Sequence, residues 1–458
     1  MVEANLAVAR KAVMRDWTQG GIVRNLFSLS WPMIVSESIY MLTIVDMVWV
    51  GKLGAGSLAG LGVASTVIML GISAKVGLTT GVKALIARSV GAGDMAGANH
   101  IARQAFVLSI AYGLVMTVIG VSLAEPILNL FALQPDVGPE GVAYLRIYSL
   151  SWIPVSIWLL AYYMIQASGD TVTPMKVEVI MRVSQLVLSP FLILGWWVFP
   201  RMGVSGAAVS NVAVQSLGMA LFLWYLLAGR TRLRLTFKDF RLEPKTMWRI
   251  VKIGIPASVM SAQRSVSNII VMGFMIPFGT LAIASHSLIN GIGMIAFLPT
   301  SGLGLGAGVL VGQNLGARKP ERAERSGWVA AVLSQGFMVI WAIVTLIWAD
   351  KIIFIFNSDP GLVQVASTFL RIAAIGYLVM GFGTALQHSI SGAGDTLVPM
   401  LVSLVSMWLV TIPLAFFLIR VTATGVYGVR WALIAPFLLG AIAYTAYFRM
   451  GRWKLKKV

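Results

Sequence analysis

The chain has no cysteine, three histidines and 17 acidic residues among 458. Without cysteine there is neither a disulfide framework nor a thiolate metal site. His100, His286 and His388 form no H-E-x-x-H, and no G-x-S-x-G elbow occurs, so the common hydrolytic centres are missing. No G-x-x-x-x-G-K-[ST] phosphate cradle is present either, so ATP could drive this chain only through a partner. Charged residues make up 11%, against about a quarter in an average soluble domain. The first 24 residues are polar, with Arg10, Lys11, Arg15 and Asp16 ahead of any apolar run, and lack the short apolar core of a signal peptide. They are expected to form an uncleaved cytoplasmic leader.

What the chain does have is apolar length. Hydrophobic residues reach 58% and the mean hydropathy is +0.85, which places it in a bilayer. Stretches long enough to span occur near 27–51, 61–87, 104–126, 143–167, 175–199 and 205–228, then 248–276, 282–310, 327–349, 366–391, 398–420 and 425–448. The expected fold is an all-α polytopic membrane protein of 12 transmembrane helices. A net charge of +18 suggests nucleic acid, but its distribution excludes it: 24 of 35 basic residues fall in or beside alternate connections and the two ends, and seven, Arg430 counted among them, in or beside the others. By the positive-inside rule both termini are cytoplasmic, in the cell inner membrane, and anionic lipid head groups are the expected partners of this charge. The basic linker at 229–247 divides a first lobe, 27–228, from a second, 248–448, with a leader at 1–26 and a basic tail at 449–458.

The two lobes repeat each other. Gly169-Asp170-Thr171-Val172-Thr173-Pro174-Met175 returns as Gly394-Asp395-Thr396-Leu397-Val398-Pro399-Met400, and the same offset of 225 links Gly54 to Gly279, Gly77 to Gly302, Gly81 to Gly306 and Gly91 to Gly316. Two homologous apolar bundles are a common plan of secondary transporters, which rock one bundle against the other. Ion-coupled transport is therefore expected, and a membrane enzyme is the weaker class.

Val45-Asp46-Met47-Val48-Trp49-Val50-Gly51-Lys52-Leu53-Gly54, the paired G-D-T-x-x-P-M segments, the G-V-x-G pair at Gly203–Gly206 and Gly425–Gly428, and Gly91-Ala92-Gly93-Asp94 together resemble the multidrug and toxic compound extrusion (MATE) family, over about 27–448. The resemblance implies two six-helix lobes in a V shape, export driven by inward protons or sodium ions, no cofactor, and a functional monomer.

An ionisable group at bilayer depth costs at least ~2.5–3.5 kcal/mol and is a functional candidate by default. Asp46 matches the family's first-span aspartate and is the expected coupling carboxylate. In relatives that couple through the first lobe, an asparagine and an aspartate of the fifth span complete the cluster; here those positions read Gln185 and Ser189, ahead of the expected Pro190, and Asn211 of the sixth span joins them. The second carboxylate is absent, so the coupling ion stays H+ or Na+. In the second lobe, the acids of sodium-linked relatives correspond to Arg264 and Met380, which leaves that lobe without a coupling role.

Basic residues at depth are unusual. Lys75 and Arg264 lack a local partner and, with Gln166 and Met380, are candidates to line a central cavity. Glu178 and Arg182, four apart, are expected to neutralise one another, and Lys83 to snorkel. Glu37, nine residues from Asp46, is placed on the opposite helix face. Pro32, Gly169, Asp170, Pro190, Pro256, Gly394 and Asp395 are read as structural, as are the glycine pairs Gly77/Gly81 and Gly302/Gly306. The family implies export of drugs or toxins; a basic cavity would instead favour an anionic or zwitterionic solute or a lipid-linked glycan.

Overall fold

The computed structural model describes residues 15–131, 138–197, 199–236, 240–422 and 424–456, without the side chains of 43–45 and 55. Most of the leader, Lys238 of the linker and the last two residues of the tail lie outside the described residues.

Among the described residues every regular element is helical, as a bilayer requires of backbone that has no water to bond. Ten helices among the described residues are long and apolar enough to span. The second span is Ala55–Gly91, the third Met95–Ser122, the fifth Val172–Leu194 and the sixth Gly203–Leu227. In the second repeat the seventh is Pro244–Met275, the eighth Thr280–Gly316, the ninth Pro320–Phe356 and the tenth Pro360–Gly392. The eleventh and twelfth are Leu397–Val421 and Val426–Met450. The fourth is a pair, Gly138–Ser149 and Trp152–Ala167, bent by 54°. The first is interrupted: Ile22–Tyr40, a 3-10 turn at Met41–Ile44, then Val45–Gly51. The bent pair brings the count to eleven among the described residues, and the interrupted first helix stands where the sequence places the first of twelve. The second, eighth and ninth have 37 residues each, roughly 55 Å of helix for a hydrocarbon core of about 30 Å, so their polar ends run past the apolar stretches visible in the sequence.

The repeat is built into the backbone. The second and eighth spans begin and end 225 residues apart. Left-handed φ values recur at Gly169 (95°) and Gly394 (89°), and at Gly93 (77°) and Arg318 (58°).

The chain forms two compact units, one built on Val35–Ser258 and the other on Trp17–Ile34 with Val259–Val458. The division falls inside the first and seventh helices, not at the linker. Each repeat's first helix thus begins in the unit of the other repeat, and the glycine pairs seat it there. A Cβ on Gly77 would lie 2.0 Å from Ser258 Oγ and 2.2 Å from its backbone nitrogen, and one on Gly81 2.4 Å from the Ile250 carbonyl oxygen. In the second unit, Gly302 and Gly306 face Ile34 and Ser30 in the same way.

The Asp170 carboxylate accepts from the Thr173 backbone nitrogen at 3.0 Å and hydroxyl at 2.7 Å, capping the fifth span. Asp395 is used differently: Tyr447 donates to it at 2.5 Å and Lys456 at 3.1 Å. The tail is therefore pinned rather than free, and Trp453, fully buried, stacks on Phe448 at 4.5 Å. The linker is pinned as well. Asn99 accepts from the Arg234 nitrogen at 2.9 Å, Gln104 donates to the Arg241 carbonyl at 2.7 Å, and His100 meets Glu243 at 2.6 Å.

Candidate coupling site

The 3-10 turn at Met41–Ile44 re-aims the chain just before Asp46, whose side chain is 6% exposed. Three side chains donate to its carboxylate: Ser189 Oγ to Oδ1 at 2.6 Å, and Gln185 Nε2 and Asn211 Nδ2 to Oδ2 at 2.7 and 2.8 Å. Gln185 and Ser189 are four apart on the fifth span and share a face. Asn211 also donates to the Ala207 carbonyl at 2.9 Å, which fixes its amide, and Ser189 meets Ser210 at 3.0 Å. The structure thus brings together Asp46, Gln185, Ser189 and Asn211 and adds Ser210.

Arg182 extends the cluster. Its Nε donates to Glu178 Oε1 at 2.7 Å and its Nη1 to Gln185 Oε1 at 2.5 Å, while its guanidinium lies 4.8 Å from the Tyr40 ring centre. The expected Glu178–Arg182 pair exists, but it is not closed on itself. The sequence held a signal for this: 178, 182, 185 and 189 form one helical stripe.

Glu37 has Glu178 and Lys83 as its electrostatic neighbours. One reading of depth is corrected: Lys83 does not snorkel. It is 9% exposed, with its ammonium 5.9 Å from the Tyr163 ring centre.

The candidate cavity residues separate. Lys75 is fully buried and donates to Ser109 Oγ at 2.5 Å, so it offers no surface to an aqueous cavity. Met380 belongs to a core with Tyr377, Ala374 and Met338. Gln166 is buried, and neither amide atom has a hydrogen-bond partner among the described residues. Arg264 alone is exposed. Among the described residues its guanidinium makes no hydrogen bond or ion pair, and the neighbouring Gln263 turns to Ser403 and Trp408.

Arg264 is also not the sole basic residue deep in the second repeat. Arg430, assigned to a connection from the sequence, is 5% exposed, with Nη1 3.1 Å from His286 Nδ1 and its guanidinium 5.1 Å from the Phe369 ring centre. Asn290 lies 2.9 Å from His286 Nε2, so this histidine is held at both nitrogens by side chains. Among the described residues no group of histidine and acids could hold a metal ion. Val271, one repeat after Asp46, is a buried core residue, so the second repeat has no counterpart of Asp46.

Comparison with known proteins agrees with this plan. The MatE family model matches residues 32–191 and 256–417. The chain is 24% identical over 444 residues to a probable multidrug resistance protein NorM of Thermotoga maritima, covering 95% of this chain and 94% of the relative. A protein of the same description from Deinococcus radiodurans is 28% identical over 439 residues, with 93% and 95% covered. Among solved structures, a MATE protein in a bent conformation matches with a TM-score of 0.90 at 21% identity over 97% of this chain and 98% of that one. A MOP-superfamily transporter from Pyrococcus furiosus, described as having a binding pocket of reverse polarity, matches at 0.89 and 21%, with 96% and 98% covered. These structures share the fold. The chain belongs to the MatE family and is a multi-pass membrane transporter, not an enzyme.

Proposed function

We propose that this transporter exports small organic solutes, drugs and toxins among them, and that inward proton movement through Asp46 drives export by alternating access. The observation that carries the reading is the cage around Asp46. All three side chains that touch its carboxylate turn donors toward it, which suits an anion waiting for a proton. A sodium ion would need oxygen ligands. The Gln185 oxygen is already taken by Arg182, whose positive charge would repel a metal cation. A proton needs one carboxylate lone pair and the rotation of one donor.

The substrate class follows the curated relatives, whose names describe probable multidrug resistance proteins. A second reading rests on Arg264, an exposed residue of the seventh span with no hydrogen-bond or ion-pair partner among the described residues. It suits an anionic or zwitterionic solute, or a lipid-linked glycan phosphate. On either reading the protein acts as a monomer in the cell inner membrane, with both termini, the linker and the tail cytoplasmic and facing anionic lipids. Purified protein in liposomes with imposed proton or sodium gradients, tested with a cationic dye and with organic anions, checks ion and substrate together. Uphill dye movement on a proton gradient alone is the expected result; dependence on sodium would overturn the proton reading.

A further inference from the structure

We propose that Glu178 sets the proton affinity of Asp46 through Arg182 and Gln185, serving as the second carboxylate of the coupling site from a place eleven residues before Ser189. The proposal rests on the proton reading above. It begins with the bonds. Gln185 presents its oxygen to the Arg182 guanidinium and its amide nitrogen to Asp46. That orientation aligns the amide dipole so that the positive field of Arg182 reaches the carboxylate. Glu178 holds the other side of the same guanidinium and opposes that field. The cluster holds two carboxylates and one guanidinium, so one proton makes it neutral.

Simple pairing of Glu178 with Arg182 leaves an oddity. Both side chains are at most 5% exposed, yet Glu178 Oε2 is buried with no hydrogen-bond partner among the described residues, a costly arrangement for a group whose only task is neutralisation. The remaining charges do not replace it. Glu37 of the first span faces Glu178 and is itself offset by Lys83 of the second. Tyr40 of the first span and Tyr162 and Tyr163 of the fourth lie around Glu37 and Glu178, and Tyr144 of the fourth faces Asp46. Apart from Arg182, the groups around Asp46 are neutral, Asn211 of the sixth span included. Glu178 is thus a positioning residue, acting through Arg182 rather than on the transported ion.

Infrared titration of the purified protein tests this without any substrate, reading the carboxylic acid band that Asp46→Asn removes. Glu178→Gln leaves the guanidinium to Asp46 alone, and the midpoint of that band should move to acid by about one pH unit, roughly tenfold in proton affinity. Arg182→Gln should move it to alkaline by a similar amount. The double variant restores the parent's charge balance and should return the midpoint close to the parent's. Should Arg182→Gln fail to fold, the other two decide. An Asp46 band with the same midpoint in the parent and Glu178→Gln overturns the proposal and leaves the proton reading standing. Absence of any Asp46-dependent band overturns both.

Discussion

Replacing Gly77 with alanine places a methyl group where no adjustment of side chains can make room. Its Cβ would meet Ser258 Oγ at 2.0 Å, Ser258 N at 2.2 Å and the Gly254 carbonyl oxygen at 2.5 Å. Two of these are backbone atoms, so the second and seventh helices must separate. Overpacking of this kind costs about 1–3 kcal/mol, and Gly77→Ala belongs at the upper end. Gly81→Ala meets the Ile250 carbonyl oxygen at 2.4 Å and should cost nearly as much. In the second unit the same substitution is easier. At Gly302 the nearest atom, at 2.3 Å, is the Ile34 Cγ1, and the Ile34 backbone lies beyond 3 Å; at Gly306 it is the Ser30 hydroxyl, which can rotate. Thermal denaturation of the purified variants in detergent should rank the losses Gly77, Gly81, Gly302, Gly306. A methyl group added at Gly336 would have nothing within 4 Å, and Gly336→Ala should be neutral or stabilising by up to about 1 kcal/mol. Equal losses at Gly77 and Gly306 would refute the packing argument, because that argument rests on which neighbours are backbone.

Three further outcomes follow from other parts of the molecule. Single cysteines at Ala96 and Glu321, both exposed, should resist an impermeant thiol reagent outside intact cells; these sites serve better than Gly93, whose φ of 77° would strain a cysteine, and labelling from outside reverses the orientation. Arg264→Gln should leave stability within about 0.5 kcal/mol, since no protein bond is lost. Dye export should persist or rise in it, whereas weaker binding of an exported anion by ~1.5–3 kcal/mol supports the second substrate reading. The Thr246 hydroxyl first, then His100, holds the Glu243 carboxylate below its ordinary value of 4.5. A depressed value contributes stability above the ordinary one and loses it as the pH falls through the depressed one. Hydrogen-exchange protection of the linker should therefore be full at pH 7 and fall only below pH 4.5, and protection that does not change in Glu243→Gln would show that this contact does not hold the linker.

The twelve spans and their duplication were legible because length and apolarity in a bilayer leave few alternatives, and because a repeated register cannot arise from composition. Asp46 stood out as an acid at bilayer depth, whereas Gln185, Ser189 and Asn211 were reached through the positions that the family resemblance marks. What could not be read was direction. Lys75 and Arg264 look alike in sequence, as lone cations in apolar helices, yet the first turns into the bundle toward Ser109 and the second stays exposed. A regular helical count could not foresee the 3-10 turn at Met41–Ile44, which re-aims the chain just before Asp46. Arg430 was assigned to a connection because it sits four residues into its helix, where burial depends on the neighbours His286 and Phe369 from other spans. The linker and tail could be read only as basic segments, since their partners Asn99, Gln104 and Asp395 are distant in sequence.

The measurement that bears most directly on the account is uphill dye export by Asp46→Asn in liposomes under an imposed proton gradient. The asparagine keeps the shape and can still bond Ser189 and Asn211, but it cannot take up and release a proton. The account predicts folded protein, correctly inserted, that no longer concentrates the dye against its gradient. Export at the parent's rate and to the parent's extent on a proton gradient would contradict it.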